Sequence, residues 1–368
     1  MNETTCNIAV IRGDGIGVDV TDATLAVIEA AKARAGGFRL ACTDLQAGAG
    51  YFKETGRDMA PGAEEFCDGA DAILLGAIGL PAIRHTDGTE IAPHLRLRER
   101  YQLYAGVRPV KAYPNAPRRL SDPRADGIDL IILRESTEGL FYTAAASGRD
   151  ILANDQEVQD ILRITRPTSE RLFDFAFRLA EKRKAKGGKG MVTCVDKANV
   201  FRSMAFFRKI FDERKGAFPG VDVSYNYVDA QALDLIRRPW DFDVLVMENM
   251  FGDILSDLAG GLVGGMGMAS CAEVGDEHAL FQPAHGSAPD IMGQDKANPL
   301  AAILSGALML DYLADRMGGH DGLTDAATMI EDAVQRGFEA NRLRPMEFGG
   351  DMGTEAVTKE VIALIGGN

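Results

Sequence analysis

The alternation of short apolar runs with longer amphipathic segments is the feature that most constrains the fold of this chain. The apolar runs, which we interpret as buried strands, cover residues 6–11, 71–78, 107–110, 128–133, 191–195, 221–228, 242–247 and 279–283. Segments with helical periodicity separate or follow them, and the clearest cover residues 16–35, 94–104, 167–186, 199–213, 299–316, 324–341 and 354–365. Strands that alternate with helices predict an α/β architecture with a mostly parallel sheet.

Composition and charge narrow the class of partner. The 368 residues are 46% hydrophobic and 26% charged, which is typical of a globular protein of two domains or one large domain. The chain has 54 acidic and 40 basic residues and a net charge of −14. This balance argues against a nucleic acid as partner, because binding to phosphates requires a basic surface. An anionic substrate would therefore need arginines clustered at one site.

The cysteines and the N-terminal segment predict a cytoplasmic location. The five cysteines are scattered, odd in number and without CxxC spacing, which favours reduced thiols over disulfides or a zinc site. The first residues, MNETTCNIAVIRGDG, lack the basic region and apolar core of a signal peptide. No apolar run approaches the roughly 20 residues that a membrane-spanning helix needs.

The segment 248–275 contains a pair of carboxylates, Asp253 and Asp257, at helical spacing. On a helix this spacing places both on one face, with Cβ atoms about 5–6 Å apart. A Mg²⁺ or Mn²⁺ ion bound by both would offset their repulsion. The alternative is a solvated acidic helix end followed by a loop. The glycines that follow indicate close approach of the backbone to another element or a ligand; they are Gly260, Gly261, Gly264, Gly265 and Gly267.

Arginines cluster in two segments. Arg96, Arg98 and Arg108 lie in the first, and Arg134 follows the apolar run 128–133. An arginine at the carboxyl end of a buried strand lies where open α/β sheets bind ligands, and its guanidinium can bind a carboxylate with two hydrogen bonds. The alternative is a set of surface ion pairs with neighbouring glutamates. We favour the binding role for Arg134 and the surface ion pair for Arg96.

Two further polar residues follow predicted strands. Lys197 comes directly after the run 191–195, and a lysine near a metal ion can act as a general base once its pKa is lowered. Its alternative role is to pair with Asp196. Asp229 begins the helix after the run 221–228, where it could be an N-cap or a third carboxylate ligand.

Two loops could contact a nucleotide. The loop GDGIG at 13–17 lies between a strand and a helix, but its GxGxG spacing departs from the dinucleotide pattern GxGxxG, which argues against a Rossmann site. A tight turn with positive φ is the alternative. In the loop 281–299, His285 and Gly286 offer a side chain and close backbone approach, and Asp290 could accept hydrogen bonds from a ribose.

Taken in order, these segments resemble the metal-dependent β-decarboxylating dehydrogenases, which include isopropylmalate, isocitrate, homoisocitrate, tartrate and D-malate dehydrogenases. The matching motifs are GDGIG (13–17), LRER and GVRP (within 97–109), LRE (133–135), DKANV (196–200), ENMFGDILSDLAGGLVGG (248–265) and HGSAPDI with ANP (within 285–299). The resemblance implies an isopropylmalate-dehydrogenase-like α/β fold, with two domains on a shared twisted sheet and no Rossmann fold. It implies a cofactor domain of residues 1–104 and 264–368. The second domain, residues 105–263, would bind substrate and metal, form the dimer and carry a protruding arm around 136–164.

The resemblance also implies site residues. Arg98, Arg108 and Arg134 would bind the carboxylates of a malate-type 2-hydroxy acid, and Asp253 and Asp257 would hold Mg²⁺ or Mn²⁺. In a homodimer with shared active sites, the partner would supply Asp229 as a third metal ligand and Lys197 to assist deprotonation of the hydroxyl. The residues implied to contact the adenosine of NAD are His285, Gly286, Ser287, Ala288, Asp290, Ile291 and Asn298. Asp290 favours NAD over NADP, because a carboxylate repels a 2′-phosphate.

Two departures from the family pattern concern the reaction and the substrate. The proton-donating tyrosine of the family corresponds to Phe141, and we hypothesise that Tyr142 takes its role, although adjacent strand residues point to opposite faces. Water as the donor, or oxidation without decarboxylation, are the alternatives. His94 stands where isopropylmalate dehydrogenases have leucine, and Ala92 where isocitrate dehydrogenases have serine. We therefore expect neither 3-isopropylmalate nor isocitrate as substrate, but a malate with a polar or anionic 3-substituent, with His94 in contact with it, or a small acid such as D-malate or tartrate. A noncatalytic regulatory subunit is a further alternative, which the intact set of polar residues disfavours.

Overall fold

A computed structural model of the protein describes residues 4–145 and 153–367. Its strands are β1 (Thr4–Gly13), β2 (Phe38–Asp44), β3 (Ala72–Ala77), β4 (Ala105–Lys111), β5 (Asp129–Glu135), β6 (Met191–Asp196), β7 (Asp222–Tyr227), β8 (Val244–Met247), β9 (Ser270–Val274) and β10 (Ala279–Pro283). Its α-helices are α1 (Ile16–Ala35), α2 (Ala49–Thr55), α3 (Ala63–Asp68), α4 (Pro93–Arg100), α5 (Phe141–Ala145), α6 (Arg166–Ala185), α7 (Arg202–Arg214), α8 (Val228–Arg237), α9 (Asn249–Leu262), α10 (Leu300–Arg316), α11 (Asp321–Glu339) and α12 (Thr354–Ile365).

The strands of this described part form one mixed sheet in the order β2-β1-β3-β10-β9-β4-β5-β8-β6-β7. The strands of each outer half run parallel to one another, from β2 to β10 on one side and from β5 to β7 on the other. The two halves meet through antiparallel pairings of β9 with β10 and β4, and of β4 with β5. The predicted α/β architecture with a mostly parallel sheet is confirmed.

Strand β9 at the centre of the sheet was not anticipated from the sequence. It is short and contains a glutamate, so it does not stand out as an apolar run, yet all five of its residues are buried. The short helices α2 and α3 were also missed. Helix α4 ends at Arg100, four residues earlier than the predicted helix 94–104, because the chain turns at Gln102, which has a φ of +49°.

The glycine loop 13–17 is a tight turn, as the alternative interpretation proposed. Gly13 and Gly15 have φ values of +74° and +55°. A Cβ at Gly15 would lie 2.0 Å from the carbonyl oxygen of Ser287, so only glycine permits this approach. The carboxylate of Asp14 accepts hydrogen bonds of 2.8 Å from the backbone N–H groups of Ala49, Gly50 and Gly79. This loop therefore joins three others at one edge of the sheet.

Only part of the predicted arm at 136–164 lies within the described residues, since 146–152 are outside them. Helix α5 begins the segment, and isolated bridges pair Gly139 with Arg163 and Ala153 with Val158. The division into domains 1–104 plus 264–368 and 105–263 stays a prediction. In the part of the chain that the structure covers, every helix is too short or too polar to cross a membrane.

Candidate active site

Three neighbouring strands place a row of residues on one face of the sheet. Glu273 of β9 is in register with Gly106 of β4, and Gly106 is in register with Arg134 of β5. Residues in cross-strand register point to the same face. Arg108, two residues after Gly106, also points to this face. Because Gly106 has no side chain, the carboxylate of Glu273 and the guanidinium of Arg134 face a common space; a Cβ at Gly106 would lie 2.9 Å from Glu273 Oε2.

The predicted carboxylate-binding arginines all line this space. The side chains of Arg98, Arg108 and Arg134 are 8%, 8% and 5% exposed. Arg98 reaches it from α4, and Arg134 donates from Nε to Asn249 Oδ1 over 2.8 Å. Arg96, in contrast, forms surface ion pairs of 2.6 Å with Asp58 and Glu64. These contacts fit the interpretation of Arg96 as part of surface ion pairs, and the three buried arginines form one cluster.

Glu273 is the residue of this cluster that sequence reasoning missed. Its side chain has no exposed surface, and its Oε1 accepts from Arg108 Nη2 at 2.7 Å and lies 3.0 Å from Arg98 Nη2. Burial alone would raise the pKa of Glu273, but Arg98, Arg108 and Arg134 outweigh burial and lower it to about 2. The one signal in the sequence was a charged residue within an otherwise uncharged segment, SCAEV.

The arginine cluster carries excess positive charge around Arg134. Burial and then the charge of Arg98 lower the pKa of Arg134 to about 10, and Asp253 only partly offsets them. The Nε atoms of Arg98 and Arg108 are buried and have no hydrogen-bond partner among the described residues. Because buried donors cost free energy when unpaired, this cluster is suited to an anion with several acceptor oxygens.

The predicted metal-binding carboxylates lie beside this cluster on α9. Asp253 forms an ion pair with Arg134, and Asp257 is one turn further along the helix. Burial and then the neighbouring charge of Asp253 raise the pKa of Asp257, against the effect of Arg108 and Arg134. Gly252 permits the close packing of α9 on β5, since a Cβ there would lie 2.6 Å from that of Arg134. Like charges on one helix face, open to the cluster, fit a divalent cation.

Three of the glycines after this pair, Gly264, Gly265 and Gly267, approach other elements closely, as predicted, whereas a Cβ at Gly260 or Gly261 would have room. Gly264 and Gly265 have φ values of +142° and +143°, and a Cβ at Gly267 would lie 2.0 Å from Glu347 Oε2. Glu347 Oε2 also accepts from Asn298 Nδ2 over 2.9 Å, and Gly267 N donates to Glu347 Oε1 over 3.1 Å. Glu347 thus connects the turn after α9 to the predicted cofactor loop.

Lys197 and Asp229 form a separate pair. Lys197 Nζ lies 2.5 Å from Asp229 Oδ1, and the aspartate side chain is 68% exposed. Asp196 instead binds Arg208 with two hydrogen bonds of 2.7 and 2.8 Å, so the pairing of Lys197 with Asp196 is wrong. The residue that caps α8 is Tyr227, without a side-chain hydrogen bond, so Asp229 is not the N-cap. Nowhere in residues 4–145 and 153–367 do three potential metal ligands gather, so this single chain brings together only two of the three predicted carboxylates.

Phe141 and Tyr142, which depart from the family pattern of a proton-donating tyrosine, lie on different sides of α5. The ring of Phe141 lies 5.0 Å from Arg134 Cζ, and the ring of Tyr142 lies 4.5 Å from Arg163 Cζ. The segment is helical, so the argument from strand alternation does not apply, and Phe141, not Tyr142, contacts the arginine cluster.

His94 lies one helical turn before Arg98 on α4, with its Nδ1 buried and unpaired among the described residues. Burial and Arg98 lower the pKa of His94 to about 3, although Glu273 opposes them, so the imidazole is neutral.

The predicted cofactor loop follows β10 and packs on the glycine loop. Ser287 donates from Oγ to the carbonyl oxygen of Gly79, and its own carbonyl accepts from Ile16 N over 2.7 Å. His285 has a buried Nε2 without a partner among the described residues. Ala288 and Ile291 pack on the start of α1, Asp290 is exposed, and Gly286 has open space beside its Cα. An unpaired imidazole nitrogen and an open glycine fit a nucleotide at this edge.

The chain is similar to known proteins over nearly its whole length. Residues 7–365 match the family described as isocitrate/isopropylmalate dehydrogenase. The 3-isopropylmalate/3-methylmalate dehydrogenase of Methanocaldococcus jannaschii is 39% identical over 96% of this chain and 97% of its own length. The homoisocitrate dehydrogenase of the same organism is 36% identical over 97% of both chains.

Two solved structures share the fold. Isocitrate dehydrogenase from Methylococcus capsulatus superposes with a TM-score of 0.82 and 31% identity, over 98% of this chain and 99% of that one. A β-decarboxylating dehydrogenase from Thermococcus kodakarensis superposes with a TM-score of 0.78 and 35% identity, over 98% and 96%. These matches confirm the predicted fold and class of enzyme: the chain belongs to the isocitrate/isopropylmalate dehydrogenase family of decarboxylating dehydrogenases.

Proposed function

We propose that this enzyme oxidises and decarboxylates a malate-type 2-hydroxy acid with NAD and Mg²⁺ or Mn²⁺. The observation that carries the proposal is the buried cluster of Arg98, Arg108 and Arg134 directly beside Asp253 and Asp257. Three guanidiniums can hold the carboxylates of a dicarboxylic acid, and the two aspartates can hold a cation next to the hydroxyl. NAD, and not NADP, fits the exposed carboxylate of Asp290 in the loop that packs on the glycine turn.

The mechanism assigns one task to each group of residues. The arginines bind the carboxylates and orient C2. A divalent cation held by Asp253 and Asp257 would supply Lewis acidity beside the 2-hydroxyl, and NAD held by the loop that contains His285 and Asp290 would supply a hydride acceptor. Lys197, whose ammonium is held by Asp229, assists removal of the hydroxyl proton.

The shared site requires a homodimer, which is part of the proposal. Asp229 and Lys197 lie together but apart from Asp253 and Asp257, so a second subunit must supply them. Helices α8 and α9, which carry these aspartates, also expose apolar side chains: Leu233 (53%), Ile236 (45%), Met250 (37%) and Ile254 (58%). Adjacent exposed apolar residues on two helices support a subunit interface there.

Complementation tests the shared site. Lys197→Met and Asp253→Asn are each expected to be inactive alone, because each removes one half of the site. Mixed dimers formed by refolding equal amounts together should recover about a quarter of wild-type turnover, since half of the dimers are mixed and each has one intact site. Refolding Asp253→Asn with Asp257→Asn is the control and should recover none, because both changes affect the same half. No recovery in the first mixture would contradict a site shared between subunits.

The substrate is the finer part of the proposal. A neutral His94 and the small size of the cavity between Arg98 and Phe141, about 20 Å³, favour D-malate, tartrate or a malate with a small polar 3-substituent. The names of the relatives favour 3-isopropylmalate or 3-methylmalate as a second candidate. A panel of these acids with isocitrate and homoisocitrate, measured with Mn²⁺ and either NAD or NADP, decides between them. The readouts are NADH absorbance and released CO₂, with EDTA as the control; no turnover of any acid would contradict the proposal.

The source of the final proton is tested by Tyr142→Phe. Phe141, which lies over Arg134, has no proton to donate, so we propose Tyr142 as the donor. Loss of CO₂-linked turnover with unchanged substrate binding would support this role. Unchanged turnover would assign the proton to water, and NADH formation without CO₂ in the wild type would identify an oxidoreductase that does not decarboxylate.

A reduced, cytoplasmic setting is the remaining part of the proposal. All five cysteines are free thiols, and four of them are buried. This supports a protein that needs no disulfide for its stability.

A further inference from the structure

Glu273 is a buried carboxylate that none of the proposed catalytic steps uses. It lies at the centre of the sheet, on a strand hydrogen-bonded on both sides, so its backbone cannot move out of the site. Its Oε1 is shared by Arg98, Arg108 and the thiol of Cys271, at 3.0, 2.7 and 3.5 Å. A fixed, fully buried charge in contact with two substrate-binding arginines must affect which anions they can bind.

The charges of the site balance without a ligand. Arg98, Arg108 and Arg134 provide three positive charges, and Glu273, Asp253 and Asp257 provide three negative charges. Each of the six acts electrostatically on at least one of the others, so they form a single network. Glu248 also acts on Arg134, but its carboxylate caps α9 and accepts from the backbone N–H groups of Met250 and Phe251, so the start of the helix compensates its charge. Lys197 and Asp229, supplied together by a second subunit, cancel each other. The imidazole of His94 adds no charge, because its pKa is about 3.

We propose that Glu273 is a specificity-determining residue that restricts this site to dianionic substrates. A divalent cation raises the net charge of the site from zero to plus two, which a dicarboxylate neutralises. A tricarboxylate would leave one negative charge uncompensated in a buried site, and such charges are strongly disfavoured. The 3-substituent of the substrate is therefore uncharged, and His94 meets a neutral group. This inference rests on the proposed function for the position of the anion.

The unpaired atoms of the cluster support a ligand at this place. Arg98 Nε, Arg108 Nε, His94 Nδ1 and Glu273 Oε2 are all buried and without a hydrogen-bond partner among the described residues. The Nε donors of Arg98 and Arg108 fit carboxylate oxygens. Glu273 Oε2 can only accept a hydrogen bond, so it would repel a further carboxylate.

The test compares two inert ligands that differ only in charge. Tricarballylate carries a carboxymethyl group where 2-(carbamoylmethyl)succinate carries the isosteric neutral amide, so their size and shape are matched. Binding of each to the wild-type enzyme with Mg²⁺ is measured by calorimetry at mildly alkaline pH. The wild type should prefer 2-(carbamoylmethyl)succinate by about tenfold or more, because a buried like charge is costly. Preference of the wild type for tricarballylate would overturn the proposal.

Glu273→Gln removes the charge and keeps the shape of the side chain. The ratio of the two affinities should shift toward tricarballylate by about tenfold or more. Glu277→Gln is the matched control, because Glu277 is 79% exposed and pairs only at the surface with Arg316. An equal ratio in Glu273→Gln and the wild type would overturn the proposal; if Glu273→Gln does not fold, the wild-type preference alone decides. Since binding requires no turnover, an enzyme inactive on every hydroxy acid would contradict the proposed function and leave this test intact.

Discussion

Replacing Arg134 by methionine is expected to lower kcat/KM by about 10²–10³-fold, because removing one partner of a buried, hydrogen-bonded charge pair costs about 2–5 kcal/mol. Arg134 is 5% exposed, donates to Asn249 and pairs with Asp253. Its loss removes a carboxylate-binding group and also leaves Asp253 without its partner. The effect should therefore appear in both KM and kcat, measured by steady-state kinetics of NADH formation on the best acid of the panel.

Arg96→Met is the matched control for this variant. It makes the same change on a residue of α4 that is 45% exposed and paired only with surface acids. Surface ion pairs contribute about 0–1 kcal/mol to stability, so Arg96→Met should keep wild-type kinetics. Thermal unfolding of both variants separates loss of binding from loss of fold. Equal kinetics for a folded Arg134→Met and the wild type would exclude Arg134 from substrate binding.

Asp257→Asn is the second change with a large expected effect, and it tests the metal site. Loss of a residue that only hydrogen-bonds to a metal ligand typically lowers metal affinity about 10–100-fold. Loss of a direct ligand should therefore reduce the affinity at least as much. Burial and then the charge of Asp253 raise the pKa of Asp257, and a bound cation would favour the charged form of both carboxylates. Mn²⁺ binding followed by electron paramagnetic resonance, without substrate or NAD, measures this affinity directly.

Activity of Asp257→Asn should recover in part when Mn²⁺ is raised well above its wild-type half-saturation point. Asp325→Asn, an exposed aspartate on α11, is the control for the same chemical change and should bind Mn²⁺ like the wild type. Equal Mn²⁺ affinity in Asp257→Asn and the wild type would place the cation elsewhere.

Local patterns were sufficient to predict most of the elements. Helices 16–35 and 354–365 and strand 279–283 were predicted with the observed bounds, because apolar periodicity and glycine turns are encoded over a few residues. The strand-end position of Arg134 and the helical spacing of Asp253 and Asp257 could be predicted for the same reason. Their proximity to one another also followed from the order of the motifs.

Phe141 and Tyr142 show where local patterns were not sufficient. They belong to the predicted arm, where the alternation of an extended chain would separate them, but they lie on a short helix, and packing against Arg134 and Arg163 sets their directions. The short segment contains no periodicity from which this could be deduced, since one turn of helix and a strand of the same length look alike.

The sequence by itself determined the α/β class, the family resemblance and the groups able to bind carboxylates and a cation, because these depend on residue type and short-range spacing. Only the tertiary structure decided that Glu273 joins Arg98 and Arg108, since β9 follows its partner strand β4 by more than 150 residues and the register of the sheet aligns Glu273 with Gly106. It also decided that Lys197 and Asp229 stand apart from Asp253. Charge balance in a buried site depends on which side chains meet in space, and spacing along the chain does not encode it.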